Sequence, residues 1–279
     1  MIDQWLPPQG SAHAPEIDLV LRLVHWLMFA LFAGWGAYFV WVLIRFREGR
    51  QPEPDLADTR GRPALWSEIA IVAAEGVLLV VIALPIWFRQ TLPPDTTAPS
   101  TTVVRVIAEQ YAWNIHYPGA DGEFGETRIE LVSSSNPVGL DRSSLHGADD
   151  LVTINDLHLP INRPVEIRLS SKDVIHSFGV AAMRVKQDAV PGLLSPVWFT
   201  PVLAGTFDIA CSQLCGLGHY RMKGQLTVES ETEYAAFLSA EAAIQVGGVP
   251  GVRASAVSHD AQEQVVARGP TGTHGRDDQ

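Results

Sequence analysis

Apolar residues are spread unevenly along the chain, and the two longest apolar runs fall within its first ninety positions. Residues 23–44 form a run interrupted only by His25, and residues 69–88 form a second with Glu75 as its only charge. At 1.5 Å per residue, about 20 apolar residues cross a ~30 Å hydrocarbon core. The pattern therefore predicts two membrane-spanning helices, over 17–46 and 64–90. No Lys or Arg precedes Arg22, and the first run is too long for the apolar part of a cleaved signal, so an anchor is expected rather than a leader. After Thr102 the pattern changes to short apolar runs of period two. Strands are predicted at 103–107, 151–154, 165–169, 174–180, 197–200, 206–209 and 225–228. Turn signals such as Tyr117-Pro-Gly, Asn136-Pro, Asn162-Arg-Pro and Pro191-Gly separate them. Such spacing suits an antiparallel sandwich or Greek-key barrel. An amphipathic helix is expected over 231–243. Residues 247–279, rich in small and charged residues without periodicity, read as a disordered tail. The expected division is an outer N-terminal segment (1–16), helix (17–46), connector (47–63), helix (64–90), β domain (91–240) and tail (241–279).

Charge gives this layout a direction. The connector carries Arg45, Arg47, Arg50, Arg60 and Arg62, whereas the flank before the first helix has no basic residue and the flank after the second has only Arg89. The positive-inside rule then puts the connector in the cytoplasm, with both chain ends and the β domain outside a bacterial plasma membrane. A formal net charge of -11 argues against nucleic acid and suits a basic protein partner. Two cysteines exclude a disulfide scaffold. Glu75 lies mid-helix, where a lipid-facing carboxylate costs several kcal/mol; Glu68, two turns earlier, shares its face. Glu75 is expected to face a partner or to handle protons. For Glu68 an interfacial residue in contact with water is an equal alternative.

The chemistry concentrates in Cys211-Ser-Gln-Leu-Cys215-Gly-Leu-Gly-His219-Tyr-Arg-Met222. Two thiols, an imidazole and a thioether stand at offsets 0, 4, 8 and 11, just after a predicted strand. Thiolate and thioether donors combined with imidazole favour copper among biological metals. His176, in Asp173-Val-Ile-His-Ser-Phe178, can supply a further nitrogen. Each residue has a plainer reading: a disulfide for the cysteines, a surface histidine, a methionine filling the core. Their conjunction points to metal, and because a mononuclear blue-copper site needs one Cys, a second thiolate points to a binuclear one.

These motifs, with Lys186-Gln-Asp-Ala-Val-Pro-Gly192 and the two apolar helices, resemble subunit II of haem-copper cytochrome c oxidases over about residues 17–240. The resemblance implies a two-helix transmembrane hairpin followed by an all-β, cupredoxin-like Greek-key domain holding a binuclear CuA centre. It implies bridging by Cys211 and Cys215, capping by His176, His219 and Met222, and a weak contact from the Gln213 carbonyl. Electrons would come from a c-type cytochrome or similar basic donor. They would pass to the haems and CuB of a partner subunit I, with other oxidase subunits completing the complex. Where the family has a carboxylate that reaches a border Mg2+, this chain has the neutral Gln213 amide. Tyr111 stands where the family admits electrons through a Trp, with Trp113 two residues on. Glu68 matches a family carboxylate at a proton-pathway mouth, and Asp173 and Asp188 match acidic docking positions. The competing classes are a membrane-tethered copper-delivery or thiol-disulfide protein, which needs a βαβ layout, and a purely structural subunit, which lacks the ligands.

Overall fold

The computed structural model describes residues 5–48, 62–94, 98 and 100–246; most of the connector and residues 247–279 of the expected tail lie outside them, while 241–246 are helical. Helix α1 spans Ala14–Arg45 and carries mean hydropathy 2.0 in its most apolar window. The second apolar segment is helical from Arg62 to Thr91: α2 (Arg62–Val77), a π-helical segment (Leu78–Ala83), then α3 (Leu84–Thr91). Its apolar part, Leu65–Thr91, has mean hydropathy 2.7 in its most apolar window, and both helices are long enough to cross a membrane. The run of apolar residues did not reveal the π segment, because a bulge changes hydrogen-bond spacing without changing composition.

The β domain is two packed five-stranded sheets. One has the order β3-β2-β1-β5-β8: Leu151–Ile154, Ala112–Tyr117, Thr102–Glu109, Val165–Ser171 and Ser195–Phe199. The other has the order β4-β10-β9-β6-β7: Asp156–Pro160, Lys223–Glu229, Gly205–Cys211, His176–Val180 and Val185–Ala189. Alternation in β1 sends Val104, Val106 and Ala108 to the core. They meet Ile167, Leu159, Phe178, Ile209 and Leu226 from neighbouring strands and the facing sheet. Each such apolar side chain contributes about 1.5–3 kcal/mol on full burial.

The sheets are mixed rather than purely antiparallel, since β1 runs parallel to β5 and β4 parallel to β10. Three strands escaped the pattern as separate elements. β2 is buried along almost its whole length, so it shows no clean alternation. β4 contains His158 and ends in Pro160, and β7 carries Lys186, Gln187 and Asp188 between apolar ends. The strand expected at 174–180 begins only at His176, because Ser171 Oγ donates to the Val174 carbonyl and folds residues 171–174 into a turn. Helix α4 (Glu231–Val246) closes the domain, three residues longer than expected.

The membrane helices and the domain are joined at one end. Arg184, after β6, makes a two-pronged ion pair with Asp18 of α1 at 2.8 and 3.0 Å, and also donates to the Pro7 carbonyl at 2.7 Å. Gly10 and Ser11 bond to the backbone of Ala182 and Met183. Gln90 at the end of α3 donates to Glu16 and accepts from the Trp198 indole. The start of α1 and the end of α3 therefore lie on the domain's side, as a hairpin requires.

Candidate metal centre

Sheet topology brings the ligands together. In β6, Phe178 pairs with Cys211 of β9, which puts His176 one turn of pleat from the end of that strand. The β9–β10 connection is the segment carrying both cysteines, His219 and Met222, and the Cys211 amide bonds back to the Met222 carbonyl. Both ends of the loop are thus held by ladder pairing.

The side chains converge. Sγ of Cys211 and Sγ of Cys215 are 3.8 Å apart, and both thiols are free. A disulfide requires ~2.05 Å, so the disulfide reading does not describe this state. Two thiolates each ~2.3 Å from a common ion at a near-tetrahedral angle stand about 3.8 Å apart; the observed span fits shared ligation. Around them, His176 Nδ1 lies 3.1 Å from Met222 Sδ and 4.0 Å from Cys211 Sγ. His219 Nδ1 is 3.6 Å from Cys215 Sγ, and Met222 Sδ is 3.8 Å from the same sulfur. The Gln213 carbonyl oxygen is 3.2 Å from Cys211 Sγ. His176, Cys211 and Cys215 alone offer three donor atoms all within 4.8 Å of one another. Burial, then the neighbouring Cys211, push the Cys215 thiol up to about 11, so a bound cation has to displace that proton. The donor set and spacing fit copper.

The surroundings orient the ligands. His176 Nε2 meets Asp173 Oδ1 at 2.8 Å, which fixes the proton on Nε2 and leaves Nδ1 for metal. The Asp173 carboxylate also accepts from the amides of Val174 and Gln110, each at 2.7 Å. Burial works to raise its pKa, but the His176 bond and these amides outweigh it and hold it below the usual range. Asp173, expected as a docking charge, is therefore engaged with a metal ligand. The Asp-x-x-His spacing was the one signal of this role in the sequence.

The other predicted residues fall in different places. Trp113 is fully buried, its ring edge-on to His176 at 6.2 Å and to Phe178 at 5.6 Å. It packs the core beside His176 and does not reach the outer surface of the domain. Tyr111 is half-buried and packs on the metal loop. Asp188 is exposed on β7, next to Ala189, which pairs with His176. Glu68 and Glu75 lie far away on α2, both exposed in the single chain. Gln110 was missed: its amide donates to the Cys215 carbonyl at 2.6 Å. No sequence pattern marks a side chain that bonds to backbone 105 residues away.

The sequence family described as "Cytochrome C oxidase subunit II, periplasmic domain" matches residues 102–230. The alternative cytochrome c oxidase subunit 2 of Bradyrhizobium diazoefficiens is 34% identical over 228 residues, covering 80% of this chain and 79% of that protein. Cytochrome c oxidase subunit 2 of Cereibacter sphaeroides is 32% identical over 254 residues, with 83% and 80% covered. The solved periplasmic domain of subunit II of cytochrome oxidase from Bradyrhizobium japonicum matches at 26% identity over 50% of this chain and 92% of that one, with a TM-score of 0.38. Identity of 34% across about four fifths of both chains makes this chain a member of the cytochrome c oxidase subunit II family and hence a membrane subunit of an oxidoreductase complex.

Proposed function

We propose that His176, Cys211, Cys215, His219 and Met222, with the Gln213 carbonyl, hold two copper ions as a CuA centre. Copper held by these residues would let the subunit take electrons from a c-type cytochrome and hand them to the haems and CuB of subunit I. The observation that carries this reading is the pair of free thiols 3.8 Å apart with imidazole and thioether donors on either side. When bound, copper would supply one-electron redox chemistry at Cys211, Cys215, His176, His219 and Met222.

The chain's own residues do the rest. Ladder pairing of β6, β9 and β10 keeps the ligands still, so little has to move when an electron arrives. Trp113 and Phe178 shield His176 from water on the core side. Asp173 holds the imidazole by Nε2. Tyr111 on the loop and Asp188 on β7 are placed to meet the donor, and the acidic chain steers a basic one. The side chain of Gln213 brings no carboxylate to a border Mg2+. Glu68 and Glu75 turn one face of α2 toward subunit I, with Glu68 at the mouth of a proton pathway. The Arg-rich connector lies in the cytoplasm, with the β domain, N-terminus and tail on the periplasmic side. The domain division is the one expected above, except that the copper domain continues through α4 to Val246.

The test is electron paramagnetic resonance of the assembled, oxidised enzyme. The expected signal is the seven-line hyperfine pattern of one electron shared by two coppers. A four-line mononuclear pattern, or none from this subunit, overturns the proposal.

A further inference from the structure

The metal loop is exposed for most of its length, with Leu214, Leu217 and Tyr220 pointing outward. Its first residue after β9 is anchored, since the Ser212 amide donates to the Ser177 carbonyl at 2.9 Å. Among the described residues, however, positions 213–218 have one hydrogen bond to the chain outside the loop. It runs from Gln110 Nε2 to the Cys215 carbonyl, at 2.6 Å. The Gln110 backbone amide donates at 2.7 Å to Asp173, which in turn holds His176. One residue thus touches both ligand-bearing segments.

Tyr111, the next residue, covers the same stretch. A Cβ on Gly218 would stand 2.4 Å from the Tyr111 ring, and one on Gly216 would stand 2.7 Å from its hydroxyl oxygen. Glycine is required at both places for the ring to approach so closely, and Gly216 also has φ of +133°, a conformation open to glycine. The Arg221 guanidinium lies over the other part of the ring, 5.8 Å from its centre.

We propose that Gln110 and Tyr111 form a clasp that holds the copper loop shut and governs how tightly the site retains copper. Gln110 bears on the Cys215 backbone, and Tyr111 presses on Gly216 and Gly218. Both are positioning residues: they act on the metal through Cys215. This rests on the copper reading of the site and goes beyond it, because retention is separate from electron transfer.

The test uses the assembled enzyme, reduced and exposed to a Cu(I) chelator, with samples reoxidised at intervals and the remaining copper signal read by electron paramagnetic resonance. Gln110→Met, which keeps length and removes the donor, should lose copper about fivefold faster, the factor expected for one net hydrogen bond. Tyr111→Ala should do the same, while Tyr111→Phe, which keeps the ring over Gly218, should match the parent enzyme. Gly218→Ala forces the ring away and should also speed release. In the Tyr111→Ala background it should add little, because the two changes break one contact. Parent enzyme holding copper, with release unchanged in Gln110→Met and Tyr111→Ala, overturns the clasp alone. Parent enzyme without a copper signal here overturns the copper reading itself.

Discussion

At the scale of single residues, Asp173 decides between two accounts of the copper face. An acidic residue that docks a basic donor should be free to meet it, and its removal should weaken donor binding and flatten the salt dependence. The Asp173 carboxylate instead meets His176 Nε2 at 2.8 Å and accepts two backbone amides, all its short contacts being internal. Carboxylates behind ligating histidines fix the ring and raise its basicity, and their loss typically lowers metal affinity by about 10–100-fold. Asp173→Ala should therefore reduce copper affinity within that range in chelator competition, with Asp173→Asn between it and the parent. If Asp173→Ala changes the donor's KM and salt response while copper affinity stays put, the docking account is right. Asp188, exposed beside the His176–Ala189 pair, is the better placed of the two acids for docking.

At the scale of elements, α4 is held against the second sheet by a titratable contact. His158 of β4 stacks on Phe237 of α4, ring centres 3.7 Å apart and planes 6° off parallel. Its Nδ1 meets Glu229 of β10 at 2.9 Å and its Nε2 meets Asp156 at 3.2 Å. Burial opposes the charged ring, but the bonds to Asp156 and Glu229 outweigh it and raise the His158 pKa above 6.5. A histidine raised in the folded state stabilises fully below its unfolded pKa, and that contribution fades as pH climbs through the folded value. The backbone amides of α4 should thus lose protection from hydrogen exchange above that value, relative to a His158→Gln enzyme measured at the same pH. Equal protection ratios at pH 5.5 and 8.5 would rule this out. The contact also shows what was legible in the sequence. The convergence of Cys211, Cys215, His219 and Met222 was, because one loop carries four donor side chains within twelve residues. The His158 clamp was not: its partners come from β10 and α4, and β4 itself was missed because His158 and Pro160 break the apolar pattern. The parallel pairing of β1 with β5 was hidden for a similar reason, since strand patterning reveals which face is buried but not which neighbour runs alongside.

At the scale of the whole molecule, one buried ion pair links the domain that carries the metal loop to the first apolar helix. Asp18 lies one turn into α1, almost wholly buried, and meets the Arg184 fork at 2.8 and 3.0 Å, with Gln9 donating to the same carboxylate at 2.8 Å. Arg184 takes φ of +56° after the turn at Ala181–Met183, and its Nη1 bonds back to the Ala181 carbonyl at 2.6 Å. One side chain therefore ties the β6–β7 connection, the N-terminal segment and the first membrane helix together. Neither apolar runs nor charge counts pointed to it, because its partners are 166 residues apart. Removing one member of a buried ion pair costs about 3–5 kcal/mol, chiefly because the other charge is left unpaired, whereas replacing both is far milder. Arg184→Met should accordingly lower the unfolding temperature of the assembled enzyme. Arg184→Lys should recover part of the loss, since it restores charge without the planar fork. The Asp18→Asn, Arg184→Met double variant should be more stable than Arg184→Met alone. If the two changes simply add, the pair is no more than a surface-like contact, and the domain is held to the helices by the bonds of Gln90, at the end of α3, to Glu16 and Trp198.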